Sequence, residues 1–331
     1  MDVTRVKRRE FITLLGGTVV TWPLAARAQQ AGKPPTIGFL GSISPTGFAK
    51  QLAGFRQGLH DLGYVEGTNL IVEYRWAEGN YARLPDLATE LVRSNVAVIV
   101  THGTPGTLAA KRATTTIPIV AAIIGDPIAA GVVTSIARPD ANITGQSFFN
   151  PELRAKRLEL LKEVVPRLTE AAVLVNPDSP AAGSENKVMQ ATASSLSIQL
   201  RRYETRSVSE FEGAFNEIVQ TGLTAVEIGD DALMNANGGV IATLAAKRRL
   251  VSVGPPEFAR AGGLIGHGVD FPSTFRRAAI FVDKILKGAK PAELPFEQAT
   301  KFEFVINLKT AKVLGLDVPT ATLLRADEVI E

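Results

Sequence analysis

From Thr36 almost to the C-terminus, short apolar runs alternate with stretches whose apolar positions recur every three or four residues. The first run, "TIGFLG" (36–41), predicts a strand. Phe48, Leu52, Phe55, Leu59 and Leu62 then share one helical face, and Gly63 stops that helix. "NLIVEYRWA" predicts a strand, "YARLPDLATELVRS" a helix and "VAVIVT" (96–101) a strand buried on both faces. A helix over 105–113 and strands at "IPIVAAI" and "ITGQSF" (143–148) follow. The pattern then restarts. Helices are predicted over 151–166, 181–196, 207–221, 231–248, 257–262 and 275–288. Strands are predicted at "AAVLVN" (171–176), "IQLRRYE", "TAVEIG" (224–229), "LVSV" and "GLIGHG". "KFEFVIN" and "LKTAKVLGL" give a last strand and helix, and "GAKPAELPFEQAT" (288–300) reads as a linker from its prolines and small residues.

Strand and helix in strict alternation build parallel sheets covered by helices. Two such series meet near residue 150, so the pattern predicts an α/β protein with two lobes. A length of 331 residues accommodates two domains.

The first 28 residues break the pattern. Arg8 and Arg9 precede Phe11 and Ile12, an uncharged stretch runs from Thr13 to Ala26, and Ala26-Arg27-Ala28 closes it. Basic start, apolar middle and Ala-x-Ala end are the parts of a cleaved export signal. The apolar part falls short of the roughly 20 residues needed to span a bilayer. Arg-Arg-x-Phe-Ile is a twin-arginine export pattern, with cutting expected after Ala28. The expected location is therefore periplasmic.

Export changes the charge balance. The chain has 36 Lys and Arg against 33 Asp and Glu. Arg5, Lys7, Arg8, Arg9 and Arg27 fall in the leader against only Asp2 and Glu10, so the remainder is neutral. Nucleic-acid binding normally needs a basic face, and none is called for here. There is no cysteine, hence no lipid anchor on an N-terminal Cys, no thiolate zinc site and no thiol nucleophile.

In parallel α/β sheets ligands sit beyond the carboxyl ends of the strands. Those ends carry Ser42 and Ser44, then His102, Gly103 and Thr104, then Asp126, in the first series. In the second they carry Asn176 and Asp178, then Asp230, then His267. Several of these residues open helices, whose free amides hold carboxylates and phosphates. Each is equally a candidate N-cap, so the ligand reading rests on their converging in one cleft. His60 lies within a helix. No Gly-x-Gly-x-x-Gly, Walker A loop, nucleophile elbow or His-Glu-x-x-His pattern is present. Asp178, Asp230 and Asp231 are the candidates for a glycosidase-like acid–base pair. No metal or cofactor is called for.

The sequence resembles a known family along nearly its whole length. The matching stretches are the leader "RREFITLLGGTVVTWPLAARAQQ", then "IGFLGSISP", "FRQGLHDLGYVEGTNLIVEYRWAEGNYARLPDLA", "TTTIPIV", "GDPIAAGVV", "RPDANITGQSF", "AKRLELLKEVVP" and "QATKFEFVINLKTAKVLGLDVP". They are similar to the ABC-transporter substrate-binding proteins of the tryptophan/tyrosine-type group. Two stretches depart from that pattern, Val253-Gly254-Pro255-Pro256 and His267 in "GHG", both on the expected ligand side.

The resemblance implies a type I periplasmic-binding fold, two Rossmann-like lobes closing on a ligand. Lobe one would comprise 33–148 plus 270–289, lobe two 150–267 plus 300–331, with crossovers near 148–151, 268–272 and 288–301. It implies an exported, non-catalytic solute receptor, monomeric once cleaved, that works with ABC permease subunits. The ten strand-end residues named above would bind an amino acid or a small carboxylate-bearing molecule. Helix-end amides and hydroxyls would take the carboxylate, and Asp126, Asp178 or Asp230 the amine. The alternative is a secreted hydrolase using Asp126 or His102 in the same cleft. A transcription regulator of this fold would need a helix-turn-helix where the leader stands.

Overall fold

The computed structural model describes residues 33–139, 142–148, 150–180 and 182–331. The export-signal reading of residues 1–28 lies outside them. The first series runs β1 (Thr36–Gly41), α1 (Ala49–Asp61), β2 (Ile71–Trp76), α2 (Leu84–Arg93), β3 (Val98–Thr101), α3 (Gly103–Ala113), β4 (Ile119–Ile124) and β5 (Ile143–Ser147). The second runs α4 (Asn150–Val164), β6 (Glu170–Val175), α5 (Ala182–Ser195), β7 (Gln199–Glu204), α6 (Phe211–Gln220), β8 (Ala225–Ile228), α7 (Ala232–Ala236), α8 (Gly238–Lys247), β9 (Val251–Gly254), α9 (Pro256–Arg260) and β10 (Ile265–Val269). Then come α10 (Phe271–Leu286), β11 (Glu297–Gln298), β12 (Phe302–Asn307), α11 (Leu308–Leu314), α12 (Thr320–Leu323) and β13 (Glu328–Ile330).

Two sheets result. One has the order β11-β5-β4-β3-β1-β2 and is parallel throughout. The other has the order β13-β12-β10-β9-β8-β6-β7, with β10–β12 its antiparallel pair. Every residue of β3 and β4 is buried, as expected where helices cover both faces. Each sheet separates two apolar cores.

α10 follows a strand of the second sheet yet belongs to the first lobe. Its Phe275, Ala278, Ala279 and Val282 lie in the core containing Phe39 and Phe55. Glycines in α1 permit the fit. A Cβ on Gly54 would come within 2.4 Å of the Pro272 carbonyl oxygen, and one on Gly58 within 2.3 Å of that of Arg276. The two helices therefore pack backbone to backbone at closer range than alanine allows.

Three sequence expectations are corrected. α10 starts at Phe271, one turn earlier than expected, because Asp270 caps it by accepting from the Ser273 amide and Pro272 suits its first turn. The helix expected over 231–248 is two helices divided at Asn237, whose side-chain amide bonds back to the Leu233 carbonyl. The 288–300 stretch contributes a strand: β11 pairs with β5, and Phe296 is buried in the first lobe. α12 and β13 carry too few apolar repeats to stand out in the sequence.

Candidate functional site

A cavity of about 60 Å³ lies where the two lobes meet. The first lobe supplies a wall of rings. Phe48 directly precedes α1, Phe148 directly follows β5, and Phe271 and Phe275 sit one turn apart at the start of α10. The His102 imidazole, at the end of β3, stacks on Phe48 with centroids 4.1 Å apart and meets Phe275 edge-on at 5.8 Å. Phe148 and Phe271 form a second edge-to-face pair at 5.8 Å. Ile43 and Ile123 fill between them. Such offset and perpendicular contacts are the preferred aromatic geometries.

The second lobe supplies polar groups. Asp230 follows β8, and Asn235 and Ala236 come from α7. Asp230 stands at the end of a row of buried charges. Arg154 on α4 forms a two-point pair with Glu227, and Arg157, one turn on, reaches Glu227 at 3.6 Å. The Arg157 Nη2 donates to Asp230 Oδ1 at 2.9 Å. Asp230 Oδ2 is also 2.8 Å from that nitrogen but outside hydrogen-bonding geometry, and is buried without a hydrogen bond. Asn235 Oδ1 is in the same condition. Buried ion pairs are tolerated when the remaining donors are satisfied, and Arg157 spends its others on the carbonyls of His267 and Ile228.

Burial dictates the state of His102. Its Nε2 accepts from the Ser42 amide at 3.2 Å, so the neutral ring carries its proton on Nδ1. Desolvation pulls its pKa down to about 3, and the ring is neutral at any working pH.

Of the ten residues expected to line a ligand site, His102, Gly103 and Asp230 line this cavity. The other seven lie elsewhere, Ser44, Asp126 and Asn176 because short polar side chains beside a chain turn bond the backbone first. Ser42 is buried behind His102. Ser44 Oγ accepts from the Gly47 amide and pairs with Thr46. Thr104 is buried in the first turn of α3. Asp126 Oδ1 closes a turn by accepting from the amides of Ile128 and Ala129. Asn176 bridges the Asp231 carboxylate and the Asp178 amide. Asp178 borders an outer groove, 3.5 Å from Arg206. His267 turns its ring edge-on to Phe304 in the lobe-two core, where desolvation takes its pKa down to about 4. Ser44, Thr104 and Asp126 thus do not line the cavity that Asp230 lines, nor does His267 of the "GHG" departure.

The sequence reading missed the phenylalanines and Asn235. Phe148 and Phe271 both flank predicted strand ends, which was the available signal. The hydrolase alternative finds no support: Asp126 is bound into its turn, Asp230 is ion-paired and His102 has its basic nitrogen engaged. Among the described residues no cluster of His, Asp and Glu is arranged to hold a metal, and no helix is long and apolar enough to cross a membrane.

Comparison with known proteins agrees with this architecture. A tyrosine-binding protein of Clostridioides difficile is 23% identical over 285 residues, 86% of this chain and 82% of that protein. The crystal structure of a conserved domain protein from Vibrio cholerae superposes with a TM-score of 0.83 at 27% identity, over 90% of this chain and 100% of that one. An ABC domain from Streptococcus pneumonia in complex with L-Trp gives 0.82 at 23% identity, over 90% and 100%. The fold is the type I periplasmic-binding fold, two Rossmann-like lobes with mostly parallel sheets. The model of the ABC transporter substrate binding protein family matches residues 36–330, and the chain belongs to that family.

Proposed function

We propose that this chain is the exported receptor of an ABC importer and binds an amino acid with an apolar or aromatic side chain between its lobes. The observation that carries this reading is that Asp230 and Asn235 line the same cavity as four phenylalanines, while Asp230 Oδ2 and Asn235 Oδ1 are buried acceptors without a hydrogen bond. An ammonium group satisfies that oxygen and the neighbouring Asn235 Oδ1, since both are acceptors without a hydrogen bond. The rings bury an apolar side chain at about 25 cal/mol per Å². Amides in the first turn of α3, which the His102 side chain does not cap, suit a carboxylate. The tyrosine-binding relative and the L-Trp complex support an aromatic amino acid in particular.

A cavity of about 60 Å³ is too small for an amino acid, so a ligand enters by the lobes parting and is enclosed as they close around it with the walls farther apart than here. The twin-arginine-like pattern of residues 1–28 and the family's place outside the cytoplasm support export, after which the closed form would meet its permease.

Calorimetric titration of the cleaved protein with L-tyrosine, L-tryptophan, L-phenylalanine and L-leucine tests the reading. One-to-one binding of at least one is expected. At a hundredfold excess over Kd that ligand should add about 2.7 kcal/mol of stability. Binding of ribose but of no amino acid would refute the ligand class and leave the fold untouched.

A further inference from the structure

We infer that Tyr81 determines closure in this receptor: its hydroxyl and the Asp231 carboxylate form a latch between the lobes that sets how long a ligand stays. The inference rests on the two-lobe binding reading above, but neither latch residue lines the cavity. Tyr81 stands in lobe one, in a single 3₁₀ turn after β2, and packs on the core of Leu84, Leu87 and Phe296. Asn80 fixes that turn by accepting from the Ala82 amide. Asp231 stands in lobe two at the head of α7.

The geometry is closely determined on both sides. The Tyr81 hydroxyl lies 2.9 Å from each Asp231 oxygen, so one proton is shared between them. Asp231 is itself held in place, accepting from the Leu233 amide at 2.9 Å and from Asn176 Nδ2 at 3.2 Å. Those two bonds lie within lobe two and survive opening. The Tyr81 bond is the one that opening breaks. Burial raises the Asp231 pKa, while the bonds from Asn176, the Leu233 amide and Tyr81 favour its ionised form, to which a hydrogen bond is among the stronger kinds. Burial pushes the Tyr81 phenol well above its ordinary pKa, so it stays a donor.

The latch also positions the site. Asp231 caps the helix that presents Asn235 and Ala236 to the cavity. At the other side of that helix, Gly47 of lobe one approaches Ala236 so closely that a Cβ there would lie 3.2 Å from the alanine methyl. Tyr81 thus seats the α7 wall against lobe one. Because the site is complete only in the closed form, apparent affinity follows the closed fraction.

The chain has no cysteine, so Arg112→Cys and Glu217→Cys place one spin label on each lobe without background. Interlobe distances would be measured without ligand in the parent and in Tyr81→Phe, with dissociation of L-tyrosine and L-tryptophan followed by stopped flow. Tyr81→Phe keeps the ring and its packing, and a melting curve confirms that it folds. It should move the open-to-closed ratio about tenfold toward open and speed dissociation about tenfold, with association changed much less. Asp231→Asn, which retains an acceptor for Leu233, should shift the same way by a smaller factor. Tyr74→Phe, whose hydroxyl bonds Arg56 and Glu66 inside lobe one, should change neither quantity. A distance distribution for Tyr81→Phe identical to the parent's would overturn the latch. If neither amino acid binds, the ligand reading fails while the distances still decide on Tyr81.

Discussion

The two walls of the cavity are built from opposite materials. Lobe one contributes Phe48, Phe148, Phe271, Phe275 and a neutral His102. Lobe two contributes Asp230 and Asn235, backed by a row of buried Arg and Glu residues. The first wall excludes water and sets shape, and its phenylalanine rings need no hydrogen-bond partner. The second offers directional acceptors, held rigid because Arg157 is tied to two carbonyls and two carboxylates. Under the proposed function the contrast divides the work between the lobes: one would measure the apolar body of a ligand, the other orient its donor.

If that division holds, damage to the two walls should read out differently. The largest expected effect is on stability, from lobe one. Phe275 is 1% exposed, and Phe275→Ala should cost about 3–5 kcal/mol in chemical denaturation. A cost below about 1 kcal/mol would show that the ring is not a structural part of its wall. Asp230→Asn should act mainly on binding, weakening an amino-acid ligand by a factor on the order of 10 to 100, as expected for loss of a charged hydrogen bond. Unchanged calorimetric affinity would remove Asp230 from the site.

Acid should destabilise the fold through two histidines. His102 and His267 have pKa values lowered to about 3 and about 4 by burial. Below pH 6.5 the unfolded chain therefore binds protons that the folded one refuses. Stability is full above that pH and declines as pH falls toward 4, by about 1.4 kcal/mol per unit for each histidine. His267→Gln should roughly halve that slope between pH 6 and 4.5 without altering ligand affinity, and an unchanged slope would clear His267 of the effect. The smallest effect belongs to Ser44→Ala, which loses a bond to the Gly47 amide: about 1 kcal/mol of stability and no change in affinity.

The contrast between the walls also explains what was legible in the sequence. Buried runs such as "VIVT" and "IVAAII" have one reading, and the strands sit where periodicity put them. Helix ends were less legible, since Asp270 and Asn237 act through local bonds that override the apolar repeat. Among site residues, Asp230 was visible as a polar group at a strand end. Ser44 and Asp126 carried the same signal and serve as local caps, because a side chain's nearest partner is usually its own backbone. The phenylalanines were hidden for the converse reason. In sequence an apolar residue beside a strand looks like core, and only the crossing of α10 into lobe one brings Phe271 and Phe275 opposite Asp230.

The division of labour is tested most directly by calorimetric titration of L-phenylalanine, β-phenylpropionic acid and glycine into the cleaved protein. The first keeps both ring and amine, the second lacks only the amine, and the third lacks the ring. The account predicts that L-phenylalanine binds and that both others bind at least tenfold more weakly. β-Phenylpropionic acid binding as tightly as L-phenylalanine would contradict it.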